Sequence, residues 1–169
     1  MFPGLQGGPH NQKIGALATH LKTVNTPEFV AYQRQVLSNA QAMADELIKR
    51  QHRLITGGTS NHLMVMDVKS AGLTGNKVQD LCDAVHITLN KNTVVGDTSA
   101  MNPSGVRIGT PAVTSRGYIE EDCREVARFL DETIKLGLDL QKKAGSKKLK
   151  DFKVELEKSQ EVSQLADEV

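Results

Sequence analysis

The sequence has only two cysteines, Cys82 and Cys123, and the motifs missing around them exclude several kinds of site. Neither belongs to a CxxC pair or to a Cys/His spacing typical of a metal centre, so no metal is expected. Two thiols in a chain of 169 residues favour a reducing compartment over a disulfide-stabilised secreted domain. We therefore predict a cytoplasmic protein without a structural disulfide; a mitochondrial or other organellar protein remains an alternative.

Long apolar runs and an excess of one charge are also lacking. The formal net charge is +1, so the overall field favours neither nucleic acid nor acidic ligands as partners. No apolar run approaches the roughly 20 residues of a membrane span. We therefore expect a small-molecule or protein partner, and neither nucleic acid nor a membrane.

Two common catalytic motifs are absent as well. No serine lies in a Gly-x-Ser-x-Gly elbow, and no phosphate loop of the GxxxxGK type occurs. The five histidines are scattered, with no acid or cysteine at a recognised spacing. This pattern predicts structural or surface histidines rather than catalytic ones.

Apolar residues recur at intervals of three and four in several segments, which predicts helices. The first runs from Pro9 to Val24, with Pro9 able to open it. A second follows the cap signal at residues 25–28 and continues to about Arg50. The same spacing returns at residues 75–85 and from 119 to about 141. Beyond Ala144 the lysines crowd together, and Leu149, Phe152 and Leu156 mark another helical face.

Short apolar runs predict four strands, at residues 54–56, 63–68, 87–89 and 106–108. Glycines bound the first two runs, for which a short helix is the alternative interpretation. A long polar loop, residues 90–105, separates the last two, and long ordered loops are often functional. The order of helices and strands predicts an α/β or α+β layer sandwich with a small sheet.

Three features could carry binding. Gly7 and Gly8 lie between Gln6 and Pro9, where glycine can adopt positive φ and lets the backbone approach a ligand or another chain; the chain therefore reads as cut from a larger protein. Arg107 alternates with apolar neighbours in a predicted strand and offers a rigid donor for carboxylate or phosphate, although a structural ion pair is the competing interpretation. Asn92 belongs to a polar segment that could read a ligand or simply support a turn.

Four stretches together closely resemble serine hydroxymethyltransferase of the eukaryotic type. They are FPGLQGGPHN at 2–11, GGTSNH at 57–62, NKNT at 90–93 and GVRIGTPAVTSR at 105–116. They follow the family's order and spacing, and the resemblance extends from residue 2 to about residue 165. It corresponds to the C-terminal third of a family member. It implies part of a fold-type-I pyridoxal-phosphate enzyme that interconverts serine and glycine and transfers a one-carbon unit to tetrahydrofolate.

The resemblance also implies roles for individual residues. Arg107 matches the arginine that holds the carboxylate of the amino-acid substrate. Gly7 and Gly8 match the pair that approaches the cofactor phosphate of the neighbouring subunit, and Asn92 matches an asparagine near the folate pterin. The family's cofactor lysine follows a Thr-Thr-His run, and no lysine here is preceded by Thr-His. We therefore expect no catalytic residue within the chain and no transferase activity from it alone.

The implied domains are the end of the large cofactor-binding domain at 1–25, a long interdomain helix at 26–52, a small C-terminal α/β domain at 53–143 and a helical extension at 144–169. The family forms dimers that can pair into tetramers. Two alternatives remain: a non-catalytic assembly or ligand-binding module, and the small domain of another fold-type-I enzyme such as an aminotransferase.

Overall fold

A computed structural model describes residue 1 and residues 3–169 of the chain. These form two compact units, Met1–Gln35 and Val36–Val169, with the boundary inside the second helix. Secondary structure accounts for most of both units. The helices and strands are α1 (Asn11–Val24), α2 (Pro27–Lys49), β1 (Arg53–Leu54), β2 (Leu63–Asp67), α3 (Gly75–Ala84), β3 (Asn90–Asn92), β4 (Gly105–Gly109), α4 (Pro111–Ser115), α5 (Glu120–Lys143), α6 (Leu149–Lys158) and α7 (Gln160–Glu168).

The first unit contains α1 and the start of α2. Pro9 precedes α1 rather than opening it, because His10 occupies the cap position and Asn11 is the first helical residue. The start of α2 agrees with the sequence signal: the Thr26 hydroxyl accepts the backbone N–H of Phe29 at 3.3 Å. No residue of α1 is buried. The apolar spacing therefore predicts the helix correctly, but within this unit the apolar face is open.

The second unit is built on a four-stranded antiparallel sheet with the order β1-β2-β4-β3. Alternation along the two central strands gives the sheet one core face, where Met64 and Met66 of β2 lie beside Val106 and Ile108 of β4. Buried side chains of the helices complete this core: Ala40, Met43, Ala44, Leu47, Val78, Cys82, Cys123, Ala127, Leu130 and Ile134. The α/β architecture with a small sheet is confirmed.

Two of the predicted strands are displaced. The first ends at Leu54, because Ile55–Gly57 forms a 3-10 turn in which Thr56 has a φ of 67°. The third is not residues 87–89: the chain pairs with β4 only from Asn90 to Asn92. Leu89 is buried among core residues as a connection, so its apolar character reflects burial without strand pairing.

The C-terminal segment forms two helices instead of one, and these cover a second apolar cluster. Ser159 separates them and caps α7 by accepting the N–H of Val162. Phe152 is fully buried, and its ring centre lies 5.4 Å from the Lys77 ammonium. Lys77 also donates to the Gln141 side-chain oxygen at 2.6 Å, and burial lowers the pKa of Lys77. This buried amine therefore links α3 to α5 and α6.

A charged cluster joins the end of α2 to α5. Asp131 is 3% exposed and accepts hydrogen bonds from Arg50 Nη1 at 3.1 Å, His52 Nε2 at 3.0 Å and Lys135 Nζ at 2.7 Å. His52 is thus a structural histidine with an acidic partner. Its partner is 79 residues distant in sequence, which no local spacing reveals.

Candidate functional site

The candidate site lies on the face of the sheet opposite the core. Val106 and Ile108 of β4 point into the core and are buried, whereas Arg107 between them is exposed. Because successive side chains of a strand alternate between faces, the guanidinium is presented on the second face. The predicted orientation of Arg107 is therefore the one observed.

Arg107 has one hydrogen-bonding side chain beside it. Its Nη2 donates to the Asn90 side-chain oxygen at 3.3 Å, and the strand register places Asn90 of β3 and Val65 of β2 directly opposite. Within residues 1 and 3–169, no carboxylate lies within ion-pair distance of Arg107. The competing interpretation of a structural ion pair is thus not realised in the described chain. The positive charge remains available for an external anion.

Arg107 opens onto a depression of about 360 Å³. The depression is lined by His62, Leu63, Thr88, Leu89, Asn90, Arg107 and Gly109. The guanidinium and the Asn90 amide meet there, and His62 and Thr88 add further polar residues to the lining. Such a surface can hold a small anion through charge and directional hydrogen bonds.

Asn92 lies two residues beyond Asn90 on β3, opposite Gly105 of β4. The alternation of the strand places Asn92 on the same face as Asn90 and Arg107. Its amide nitrogen donates to the Thr93 carbonyl at 2.7 Å, and the side chain is half-buried. The structure therefore brings Asn92 and Arg107 to one face of one sheet, with the Asn92 amide held locally.

The loop that follows β3 is closed at its base by Asp97. One carboxylate oxygen of Asp97 accepts the backbone N–H groups of Ser104 at 2.8 Å and Val94 at 3.0 Å. The hydrogen bond from Ser104, supported by that from Val94, holds the pKa of Asp97 below its usual range. Val94 then packs over Gly105, where an added Cβ would lie 2.5 Å from Val94 Cγ1. A glycine is thus required where the loop crosses β4.

Gly7 and Gly8 belong to the first unit. Both are exposed, and a Cβ added at either would meet no atom within 4 Å. Neither has a positive φ, so the left-handed conformation open to glycine is not used here. Within the described residues, neither amide N–H donates to a backbone acceptor. The backbone N–H groups of Gly7 and Gly8 could therefore donate hydrogen bonds to an anion.

Two residues of the depression were missed as functional candidates. Asn90 and His62 each belong to a noted motif, NKNT and GGTSNH, but only the three-dimensional arrangement brings them to Arg107. Asn90 could have been found from the strand register, which the displaced prediction of β3 concealed. His62 carries no such signal, since it lies in the connection before β2.

Other surfaces of the chain are less suited to binding a small anion. A groove of about 440 Å³ is larger, but much of its lining consists of core residues such as Met43, Ile108 and Leu130. Within the described part of the chain, no cluster of three His, Cys, Asp or Glu residues is placed to hold a metal ion. In those same residues, no helix is both long and apolar enough to cross a bilayer. The lining of the Arg107 depression is more polar than that of this larger groove.

Known proteins similar to the chain agree on one family. Residues 1–130 match the family model for serine hydroxymethyltransferase. Serine hydroxymethyltransferase 4 of Arabidopsis thaliana is 51% identical over 169 residues, which is all of this chain and 36% of the relative. A serine hydroxymethyltransferase of Plasmodium falciparum is 49% identical over the same length, 38% of the relative. A mitochondrial serine hydroxymethyltransferase of Candida glabrata is 47% identical over 175 residues, 36% of the relative. The chain thus spans little more than a third of the length of these relatives.

Proposed function

The chain belongs to the serine hydroxymethyltransferase family, and we propose that it forms the C-terminal portion of an enzyme that interconverts serine and glycine while transferring a one-carbon unit to tetrahydrofolate. The observation that carries the proposal is the Arg107 guanidinium, which lines a polar depression and has no carboxylate partner among residues 1 and 3–169. The family assignment favours this function over an aminotransferase.

In this proposal Arg107 binds the carboxylate of serine or glycine. A strand in the middle of a sheet is a rigid support, and the planar guanidinium can donate two parallel hydrogen bonds to a carboxylate. Because no internal carboxylate competes within the described residues, binding need not break an existing ion pair. Arg107 would orient the substrate and perform no proton transfer itself.

The cofactor implied by the family is pyridoxal phosphate, and Gly7 and Gly8 fit a role toward its phosphate group. Their amides are exposed and are not used by backbone acceptors of the described chain. When bound, the cofactor supplies an electron sink for the bonds that are made and broken in the amino acid. The resemblance assigns these amides to the site of the neighbouring subunit, so we propose a homodimer or tetramer as the functional assembly.

Asn92 is proposed to contact the pterin of tetrahydrofolate. It shares a sheet face with Arg107, and an amide can both donate to and accept from a heterocycle. The amide nitrogen has a second N–H beside the one donated to the Thr93 carbonyl, so Asn92 can bind the pterin without releasing that bond. Asn92→Ala should therefore weaken folate binding more than serine binding.

Domain organisation and compartment remain parts of the proposal. We keep the assignment of residues 1–25 to the end of the large domain, 26–52 to the interdomain helix, 53–143 to the small domain and 144–169 to the extension. Both cysteines are buried and free, which fits the proposed cytoplasmic location. Relatives named as mitochondrial and chloroplastic also exist.

A chimeric enzyme tests the function. Residues 1–169 would replace the matching 36% of the Arabidopsis thaliana relative, and tetrahydrofolate-dependent conversion of serine to glycine would be measured. We expect an active chimera with the spectrum of a bound pyridoxal cofactor. A folded chimera that binds the cofactor but performs no conversion would contradict the proposal.

The open face of α1 favours a second candidate, an assembly module. Ile14, Leu17 and Leu21 are each more than half exposed, and contiguous apolar surface of this kind promotes association. Light scattering of the purified chain tests this function. A monomer at high concentration would exclude it.

A further inference from the structure

Asn90 is the only side chain of the described residues that forms a hydrogen bond with the Arg107 guanidinium. We propose that Asn90 is a positioning residue, whose neutral amide oxygen holds Arg107 in the orientation that receives a substrate carboxylate; this rests on the proposed carboxylate-binding role of Arg107. The two residues are direct cross-strand partners, and both line the depression.

The backbone fixes Asn90 independently of any ligand. Asn90, Lys91 and Asn92 pair with Arg107, Val106 and Gly105 of β4. In addition, the Lys91 N–H donates to the side-chain oxygen of Gln79 on α3 at 2.9 Å, which ties β3 to that helix. The pairing of β3 therefore fixes the position at which the Asn90 amide contacts the guanidinium. Because Arg107 is already restrained by this contact, it loses less side-chain entropy when a ligand binds.

The positioning role requires that the Asn90 side chain is uncharged. An amide oxygen accepts a hydrogen bond from Arg107 without cancelling its charge, so the site keeps the charge that attracts a carboxylate. An aspartate at the same place would form an internal ion pair with the guanidinium and compete with the ligand. Alanine would remove the hydrogen bond but leave the charge free.

These two substitutions separate positioning from a purely structural role. Aspartate is nearly the same size as asparagine, so a structural role predicts that Asn90→Asp stays closer to the unmodified chain than Asn90→Ala does. A positioning role, in which Arg107 must keep its charge free for the ligand, predicts the opposite: Asn90→Asp binds glycine more weakly than Asn90→Ala does. We expect the dissociation constant for glycine to rise about threefold to tenfold in Asn90→Ala and by more than about thirtyfold in Asn90→Asp.

The test is an NMR titration of the 169-residue chain with glycine, following the arginine Nε–H resonances. Arg107→Ala identifies the Arg107 signal and removes specific binding. Gln164→Glu, on the exposed part of α7, makes the same amide-to-carboxylate change and should leave the titration unaltered. Backbone amide spectra establish that each variant is folded, and Asn90→Ala alone remains decisive if Asn90→Asp does not fold.

The outcomes distinguish the two proposals. If the Arg107 signal of the unmodified chain does not respond to glycine, the carboxylate-binding role of Arg107 is contradicted, and the inference falls with it. If that signal responds but both Asn90 variants bind like the unmodified chain, or Asn90→Asp binds more tightly than Asn90→Ala, only the positioning role is overturned. Weaker binding in the order Asn90→Asp, Asn90→Ala, unmodified chain supports it.

Discussion

Replacing Asp131 by asparagine should destabilise the second unit substantially. The carboxylate is 3% exposed and accepts hydrogen bonds from Arg50, His52 and Lys135, which connect the end of α2 with α5. Asparagine keeps the size of the side chain but removes its charge. The substitution therefore leaves Arg50 without one of its two acidic partners, the other being Glu46 at 2.7 Å.

The size of this destabilisation can be estimated from the exposure of each residue that forms a hydrogen bond with Asp131. Lys135 is 68% exposed, so its ion pair contributes at most about 1 kcal/mol. The bond from the partly exposed Arg50 to a buried carboxylate is of the charge-assisted kind, at about 1.5–3 kcal/mol. We expect the free energy of unfolding to fall by about 3 kcal/mol. For a chain of this length, the melting temperature should then fall by about 6–12 °C.

The loss of unfolding free energy in Asp131→Asn should depend on pH. Burial opposes the ionisation of Asp131, but hydrogen bonds from Lys135, His52 and Arg50 outweigh it and hold its pKa below the usual value of 3.8. Because the pKa is lower in the folded than in the unfolded state, the stabilisation is complete above about pH 4 and is lost as pH falls through the folded value. The gap between the unmodified chain and Asp131→Asn should therefore be full at pH 7 and shrink below pH 4.

Urea unfolding followed by circular dichroism measures this gap at several pH values. Asp139→Asn is the matched control, because it is the same substitution on the same helix in an exposed pair with Lys142. The control should change the free energy of unfolding by less than about 0.5 kcal/mol. An equal loss in both variants, or a gap for Asp131→Asn that persists unchanged below pH 4, would refute the reasoning.

Three other predictions concern the packing around the sheet. Gly75→Ala should lower the melting temperature measurably, because its Cβ would overlap the Gly105 carbonyl oxygen; an unchanged temperature would contradict the close approach. Burial raises the pKa of Cys82 to about 12 and of Cys123 to about 11, so both thiols should resist a thiol reagent at pH 8 until urea unfolds the chain. Asn39→Ala should cost about 2 kcal/mol in urea unfolding, since the fully buried amide donates two hydrogen bonds.

The sequence predicts those elements whose periodicity is set by burial on one side. The helices α2 and α5 and the central strands β2 and β4 are of this kind, and the exposure of Arg107 between two buried neighbours follows from the same alternation. The edge strand β3 is different. Its residues, Asn90, Lys91 and Asn92, are polar and have weak strand preference, so only their pairing with β4 makes them a strand.

Contacts between residues far apart in the sequence could not be predicted from local patterns either. The contact between Asn90 and Arg107 joins residues 17 apart and depends on the register of β3, which an apolar run at 87–89 misplaces. The pair of His52 and Asp131 joins residues 79 apart. In both cases the chemistry arises from tertiary approach, and no spacing in the sequence records it. The roles of Gly7, Gly8 and Asn92 stay predictions from the family resemblance.

The most direct test of the central claim is the Michaelis constant for serine in the chimeric enzyme carrying Arg107→Ala. Losing a charge-assisted, two-pronged contact of about 3 kcal/mol predicts a rise of roughly a hundredfold, and Arg107→Lys, which keeps the charge without the fork, predicts a smaller rise. The Michaelis constant for tetrahydrofolate should change little. A value for serine within twofold of the unmodified chimera would contradict the assignment of Arg107 as the carboxylate-binding residue.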